Sequence, residues 1–162
     1  MTVLTTLLQI VALVVVVGGT AKLVRPGPFA GLLDTFGMPG GALAARAVGL
    51  AELGLGAWAV VTGSRAAAVA LAVLYLVFAG TVVLARRAGA ASCGCFGVVD
   101  APPSTLHVVV NMVSAAVAVA AAAVGAETLG ATLADQPAAG VPYLLAVAVA
   151  VYFVVRLDVR PS

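Results

Sequence analysis

The chain alternates between long apolar runs and short clusters of Gly, Pro and charge. The first run, Leu4 to Val24, is about 20 residues long, the length a helix needs to cross a hydrocarbon core about 30 Å thick. Pro26-Gly27-Pro28 stops it, and a short stretch from Phe29 to Phe36, ended by Gly37 and Pro39-Gly40, reads as an interfacial turn or short helix. A second run covers Gly41 to Thr62 and is closed by Gly63-Ser64-Arg65. A third covers Ala66 to Ala85 and ends at Arg86-Arg87. Residues 88 to 103 form a loop that ends in Pro102-Pro103. The fourth run, Ser104 to Val124, starts with Ser104 as its expected N-cap. A more polar loop with Glu127, Asp135, Gln136 and Pro137 leads to a fifth, shorter run, Val141 to Val155, and a charged tail. Met1 to Thr6 carries no Lys or Arg, so the first run is read as a membrane helix and not as a cleaved signal.

This pattern predicts an all-α integral membrane bundle of about five transmembrane helices. The expected organisation is a single membrane domain over residues 1–162. Its four-helix core covers 1–125, and the polar loop, fifth helix and tail cover 126–162. Composition strengthens the reading. Of 162 residues, 64% are hydrophobic and 9% charged, and the mean hydropathy is +1.22. A soluble domain carries about 25% charged residues, so the outer surface here must face the lipid bilayer. The net charge of +2 is too small to argue for a nucleic-acid partner. The runs are rich in Ala, Val and Gly, and small residues let membrane helices approach closely. Ala45 and Gly49 form a small-xxx-small pair, and Gly49, Gly54 and Gly56 mark the second run as closely packed. A biased overall composition would produce the same richness.

Charge distribution sets an orientation. With five spans, the loops after the first, third and fifth lie opposite the N-terminus. That side holds Lys22, Arg25, Arg46, Arg86, Arg87, Arg156 and Arg160, whereas the N-terminal side holds Arg65. Lys and Arg are retained in the cytoplasm. The N-terminus is therefore expected outside, with the loop of residues 88–103 and the C-terminus on the cytoplasmic face of the cell membrane.

That loop contains Cys93-Gly94-Cys95-Phe96-Gly97, with the only two cysteines of the chain. Residues two apart can bring their Cα atoms within the disulfide range of about 4.4–6.8 Å, and Gly94 permits the backbone angles that so tight a ring needs. Such a ring is strained, and strained disulfides are more oxidising. The pair therefore suits exchange better than permanent bracing. Arg86 and Arg87, and the dipole of the following helix, would favour the reactive thiolate. Two other readings stand beside this one. One takes Cys93 and Cys95 as inert thiols; the other takes them as ligands of a soft metal shared with His107.

His107 is the only histidine. It lies about one turn into the fourth run, either as a proton carrier for the thiols or as a polar interfacial residue. Asn111 follows at i+4 on the same face and is expected to bond across helices. Glu52 lies about eleven residues into the second run, roughly 16 Å deep. An ionisable group at that depth marks a functional site or a structural ion pair. Lys22 and Arg46 are the candidate partners, and Tyr75 is a candidate hydrogen-bond donor.

Taken in order, Ala21-Lys22-Leu23, Phe29, Glu52-Leu53-Gly54-Leu55-Gly56, Cys93-Gly94-Cys95-Phe96-Gly97 and Asn111 resemble the methylamine utilisation protein MauE family, a branch of the DoxX-like membrane proteins. The resemblance covers about residues 1 to 125. Val110 stands where the family usually carries an arginine. The resemblance implies a protein that assists disulfide formation or electron transfer during maturation of another protein, beside a thioredoxin-like partner. It also implies substrates outside the cytoplasm, whereas the charge count points inward. On this reading Cys93 and Cys95 exchange disulfides, and Glu52, Lys22, His107, Asn111, Gly94, Phe96 and Gly97 support them. The rivals are a soft-metal binder or transporter and a non-catalytic scaffold for a soluble oxidoreductase. No cofactor is called for; a quinone is compatible with such a role, but the sequence shows no site for one. It does not set the oligomeric state.

Overall fold

The computed structural model describes residues 3–38, 40–90, 92, 94 and 102–159. Among these residues seven α-helices follow one another: α1 (Val3–Val24), α2 (Gly27–Thr35), α3 (Gly41–Thr62), α4 (Arg65–Arg87), α5 (Thr105–Val124), α6 (Leu129–Ala134) and α7 (Val141–Val159). A 3-10 turn, Pro137–Gly140, precedes α7. Among the described residues there are no strands. Helices α1, α3, α4 and α5 are long and apolar enough to cross a membrane, and α7 contributes a shorter apolar stretch, Val141–Arg156. The protein is a multi-pass helical membrane bundle.

Local chemistry sets the helix ends. Gly63 closes α3 in the left-handed conformation at φ +57° and turns the chain directly into α4. Ser64 then caps α4, its Oγ accepting from the Ala67 backbone N–H at 3.2 Å. Pro28 occupies the first turn of α2, where a missing N–H costs nothing. Ser104 caps α5, as its position after two prolines suggests. The loop after α5 is more ordered than expected. Thr128 caps α6 through the Ala131 N–H, and Gln9 Nε2 of α1 donates to Thr132 Oγ1 at 3.3 Å.

α1 lies antiparallel to α3, and α5 lies antiparallel to α4. α7 runs alongside α1 in the same direction, with Val14 packed among Tyr143, Val147 and Val151. The ends of α1 and α4 and the starts of α3 and α5 thus share one end of the bundle. Many alanines face inward, beside larger side chains such as Leu8, Leu71 and Val82, while many other large residues face outward. Ala12, Ala45, Ala59, Ala67, Ala118 and Ala121 are buried, whereas Leu43, Leu50, Trp58, Val73 and Phe153 are exposed. In lipid this inversion carries no penalty, because hydrocarbon solvates leucine as well as a core does.

Glycines make the α1–α3 seam. A Cβ on Gly19 would lie 2.6 Å from the Gly49 carbonyl oxygen, and one on Gly49 would lie 2.8 Å from that of Gly19. A Cβ on Gly56 would meet the Ala12 carbonyl at 2.7 Å. Gly54 differs from the sequence expectation. It is exposed, with nothing within 4 Å of a Cβ, because it projects from the opposite face of the helix to Gly49 and Gly56.

Gly19→Ala is expected to lower the unfolding free energy in detergent by about 1–3 kcal/mol, the usual cost of overpacking. Gly54→Ala is expected to leave it unchanged. Thermal unfolding of the two variants checks the contrast, and equal behaviour would remove the seam as the cause.

Candidate functional site

Lys22 closes the last turn of α1 and Glu52 sits inside α3, one turn beyond Gly49. Because Gly19 and Gly49 let the two helices nearly touch, both side chains are confined to the interior. Their side chains are 3% and 1% exposed, so the pair is removed from solvent and lipid alike. The Lys22 ammonium nitrogen lies 2.9 Å from Oε1 and donates a 2.9 Å hydrogen bond to Oε2. Both carboxylate oxygens thus lie at the same distance from the ammonium. Of the two candidate partners, Lys22 is the one that reaches Glu52, while Arg46 is exposed on α3.

Two aromatic rings flank the ammonium. Its nitrogen is 5.1 Å from the Phe29 ring centre and 5.7 Å from that of Phe78, within the range for attraction to the negative ring face. Phe29 comes from α2, which lies across the end of the α1–α3 pair. Phe78 comes from α4 and meets Tyr75 edge to face at 6.2 Å. Phe78 was not singled out in the sequence. Its spacing of three from Tyr75, which puts both on one helix face, is the signal that would have found it. The Tyr75 hydroxyl donates to the Val11 carbonyl at 2.7 Å and so ties α4 to α1.

His107 and Asn111 occupy the first turns of α5, at the same end of the bundle. His107 is buried, and its Nδ1 accepts from the Ser104 backbone N–H at 3.0 Å. This completes a reciprocal cap with Ser104. Asn111 Nδ2 donates 2.7 Å back to the His107 carbonyl of its own helix, not across to another helix as expected.

Of the five residues from Cys93 to Gly97, only Gly94 is described; Cys93, Cys95, Phe96 and Gly97 lie outside the described residues, as does Arg160. Gly94 is buried, with φ +64°. A Cβ there would come within 2.6 Å of Phe29 Cα and 2.9 Å of the Pro28 carbonyl carbon. Its N–H donates to Ser92 Oγ at 3.1 Å. The backbone between the two cysteines therefore rests directly on the backbone of α2, and the ring of that same Phe29 faces Lys22. Among the described residues, no three of His, Cys, Asp and Glu cluster as a metal site.

A cavity of about 630 Å³ adjoins the ion pair. Its walls are mostly apolar side chains of α1, α2, α3, α4 and α5, interrupted by Lys22, Glu52, Tyr75, Thr81 and Asn111. α2 contributes Phe29, Leu32 and Leu33 to its wall.

In comparisons with known proteins, the family model described as Methylamine utilisation protein MauE matches residues 1–126. No curated protein and no solved structure matches.

Removing one partner of the pair strands a buried charge. Lys22→Ala is expected to cost about 3–5 kcal/mol, and Glu52→Gln less, because an amide keeps hydrogen bonds without a charge. The two single variants and the double variant, unfolded thermally in detergent, form a cycle that reads the coupling. Strictly additive losses would show that the two residues act independently.

Proposed function

The chain belongs to the methylamine utilisation protein MauE family, and on that premise we propose that it is a membrane thiol–disulfide redox protein. It exchanges electrons with a thioredoxin-fold partner through Cys93 and Cys95 and assists maturation of another protein. The observation that carries this reading is the seat of Gly94. A cysteine pair that serves only as filler has no need of a fixed intervening backbone. Here that backbone is buried against Pro28 and Phe29 at a conformation natural to glycine.

In the proposed cycle, a thiolate of the partner attacks the Cys93–Cys95 disulfide. The S–S bond breaks, a mixed disulfide forms, and one cysteine leaves as thiolate. The partner's second thiol then attacks the mixed disulfide and releases the second cysteine. The partner becomes oxidised, and Cys93 and Cys95 are left as a dithiol. Lys22 and Glu52 hold α1 to α3 beneath the loop. The His107–Ser104 cap fixes the start of α5 beyond it.

The charge distribution supports a cytoplasmic position for the loop. Lys22 is buried in its pair and no longer counts as a loop charge. Arg25, Arg46, Arg86 and Arg87 remain exposed at the loop end, and Arg65 at the other. The bias therefore persists without Lys22.

Cys93→Ser and Cys95→Ser are each expected to keep the fold and abolish exchange. The wild-type mass should rise by two protons on reduction, and the single variants should trap a partner as a mixed disulfide. Two thiols that never change mass with oxidant would sink the redox reading, and a retained metal would favour the soft-metal rival. For orientation, a membrane-impermeant thiol reagent applied to intact cells is expected to leave the cysteines unlabelled until the cells are opened. Rapid labelling from outside would reverse the topology.

A further inference from the structure

We propose that the cavity takes up one acyl chain of an anionic phospholipid, with Arg87 at the end of α4 binding the phosphate. The inference stands on the shape of the cavity and on charge, and it needs none of the thiol chemistry proposed above.

The walls call for hydrocarbon. Each polar side chain among them already bonds to protein. Lys22 and Glu52 hold each other and are 3% and 1% exposed. The Tyr75 hydroxyl donates to the Val11 carbonyl, Thr81 Oγ1 to the Val77 carbonyl at 2.9 Å, and Asn111 Nδ2 to the His107 carbonyl. A polar ligand would exchange water for apolar side chains with no new bond to offset the loss. An acyl chain meets no such penalty. It also has a way in, because Val77, Leu84 and Met38 line the cavity and are 56%, 55% and 49% exposed on the surface that faces lipid. The volume, about 630 Å³, lies within the range of small-ligand sites, about 300–1,000 Å³.

Length and depth match a lipid of one leaflet. On α4 the lining runs from Leu74 to Leu84, about 15 Å at about 1.5 Å per residue. That is half of a hydrocarbon core about 30 Å thick, the depth that one acyl chain spans. The stretch lies in the second half of α4, toward the loop end. Val77, Thr81 and Leu84 follow one another along the cavity side of the helix, and Arg87 stands three residues past Leu84, on the adjacent turn. A chain lying along this stripe brings its phosphate to the level of Arg87. That side chain is exposed, and its long stem can reach the headgroup region.

Charge selects an anionic headgroup. Arg25, Arg46, Arg86, Arg87 and Arg156 are exposed at the loop end, and among the described side chains Asp34 is the one exposed acid there. Asp34 lies on the outer face of α2, away from the residues that line the cavity. Basic side chains clustered at the ends of membrane helices attract anionic lipids. A zwitterionic lipid carries a cation beside its phosphate and gains less from the same cluster.

The test uses the full chain in neutral detergent micelles, with a phosphatidylglycerol that carries a photoactivatable diazirine midway along one acyl chain. Labelling is expected to be saturable and to map to α2 and α4 around the cavity. Dioleoyl phosphatidylglycerol should compete at least about fivefold better than dioleoyl phosphatidylcholine, and inorganic phosphate should not compete. Val77→Trp, at the lipid-facing mouth, should cut cavity labelling by about tenfold. Arg87→Gln should lower the preference for phosphatidylglycerol by about fivefold, and Arg65→Gln, at the other end of the bundle, should leave it unchanged. All three variants replace exposed side chains, and the wild-type competition decides the matter without them. Labelling spread evenly over the outward helix faces would mean annular lipid only and would overturn the proposal. Equal competition by the two lipids, displacement by inorganic phosphate, or an unchanged preference in Arg87→Gln would overturn it as well.

Discussion

Lys22 and Glu52 carry opposite charges into a bundle whose outer surface faces hydrocarbon. Each would be costly alone at that depth, so neither helix can be placed without the other. The pair fixes the rotation of α1 and α3 about their axes and their register along them. Gly19 and Gly49 then follow as a requirement. A 2.9 Å contact between a lysine and a glutamate on adjacent, closely packed helices needs backbones near touching. The rest of the site is arranged on that seam. α2 crosses its end and supplies Phe29, α4 supplies Phe78, and the loop that carries Gly94 rests on α2.

Much of this was legible in the sequence. The spans could be read because a run long enough to cross a bilayer, ended by Pro, Gly or Arg, has few alternatives. Gly41–Thr62 was read with the bounds it has, and Glu52 stood out because few residues tolerate that depth. What was not legible depended on which face of a helix points inward. Gly54 shares its motif with Gly56, yet one is exposed and the other buried. Asn111 bonds its own helix, because a buried amide one turn beyond His107 finds a carbonyl there without a neighbour's help. The region after α5 looked like a polar loop. Part of its order is the local Thr128 cap of α6, and part comes from Gln9, far away in sequence, which no local pattern could signal.

Two kinds of hydrogen bond divide the labour in this bundle. Some tie neighbours in sequence, such as the Ser64 and Ser104 caps, and set where helices begin. Others tie distant helices, and among the described residues these include Tyr75 to Val11, Lys22 to Glu52, Gln9 to Thr132, and Tyr143 to Gln9 at 2.6 Å. Beside these bonds, van der Waals contact between small residues holds the helices together. This explains why the interior is lined with alanine.

The partners of α1 also impose an order in time. α1 leaves the ribosome first, carrying two polar groups that it cannot satisfy. Lys22 meets a residue made 30 positions later, and Gln9 meets Tyr143, made 134 positions later. At about 5–20 residues per second, these gaps correspond to roughly 2–6 s for Lys22 and 7–27 s for Gln9. During that interval the nascent helix must keep its lysine near the headgroups and its glutamine against water, the translocation machinery or another protein. The first helix therefore cannot settle fully into lipid until the third arrives, and it is completed only by the last.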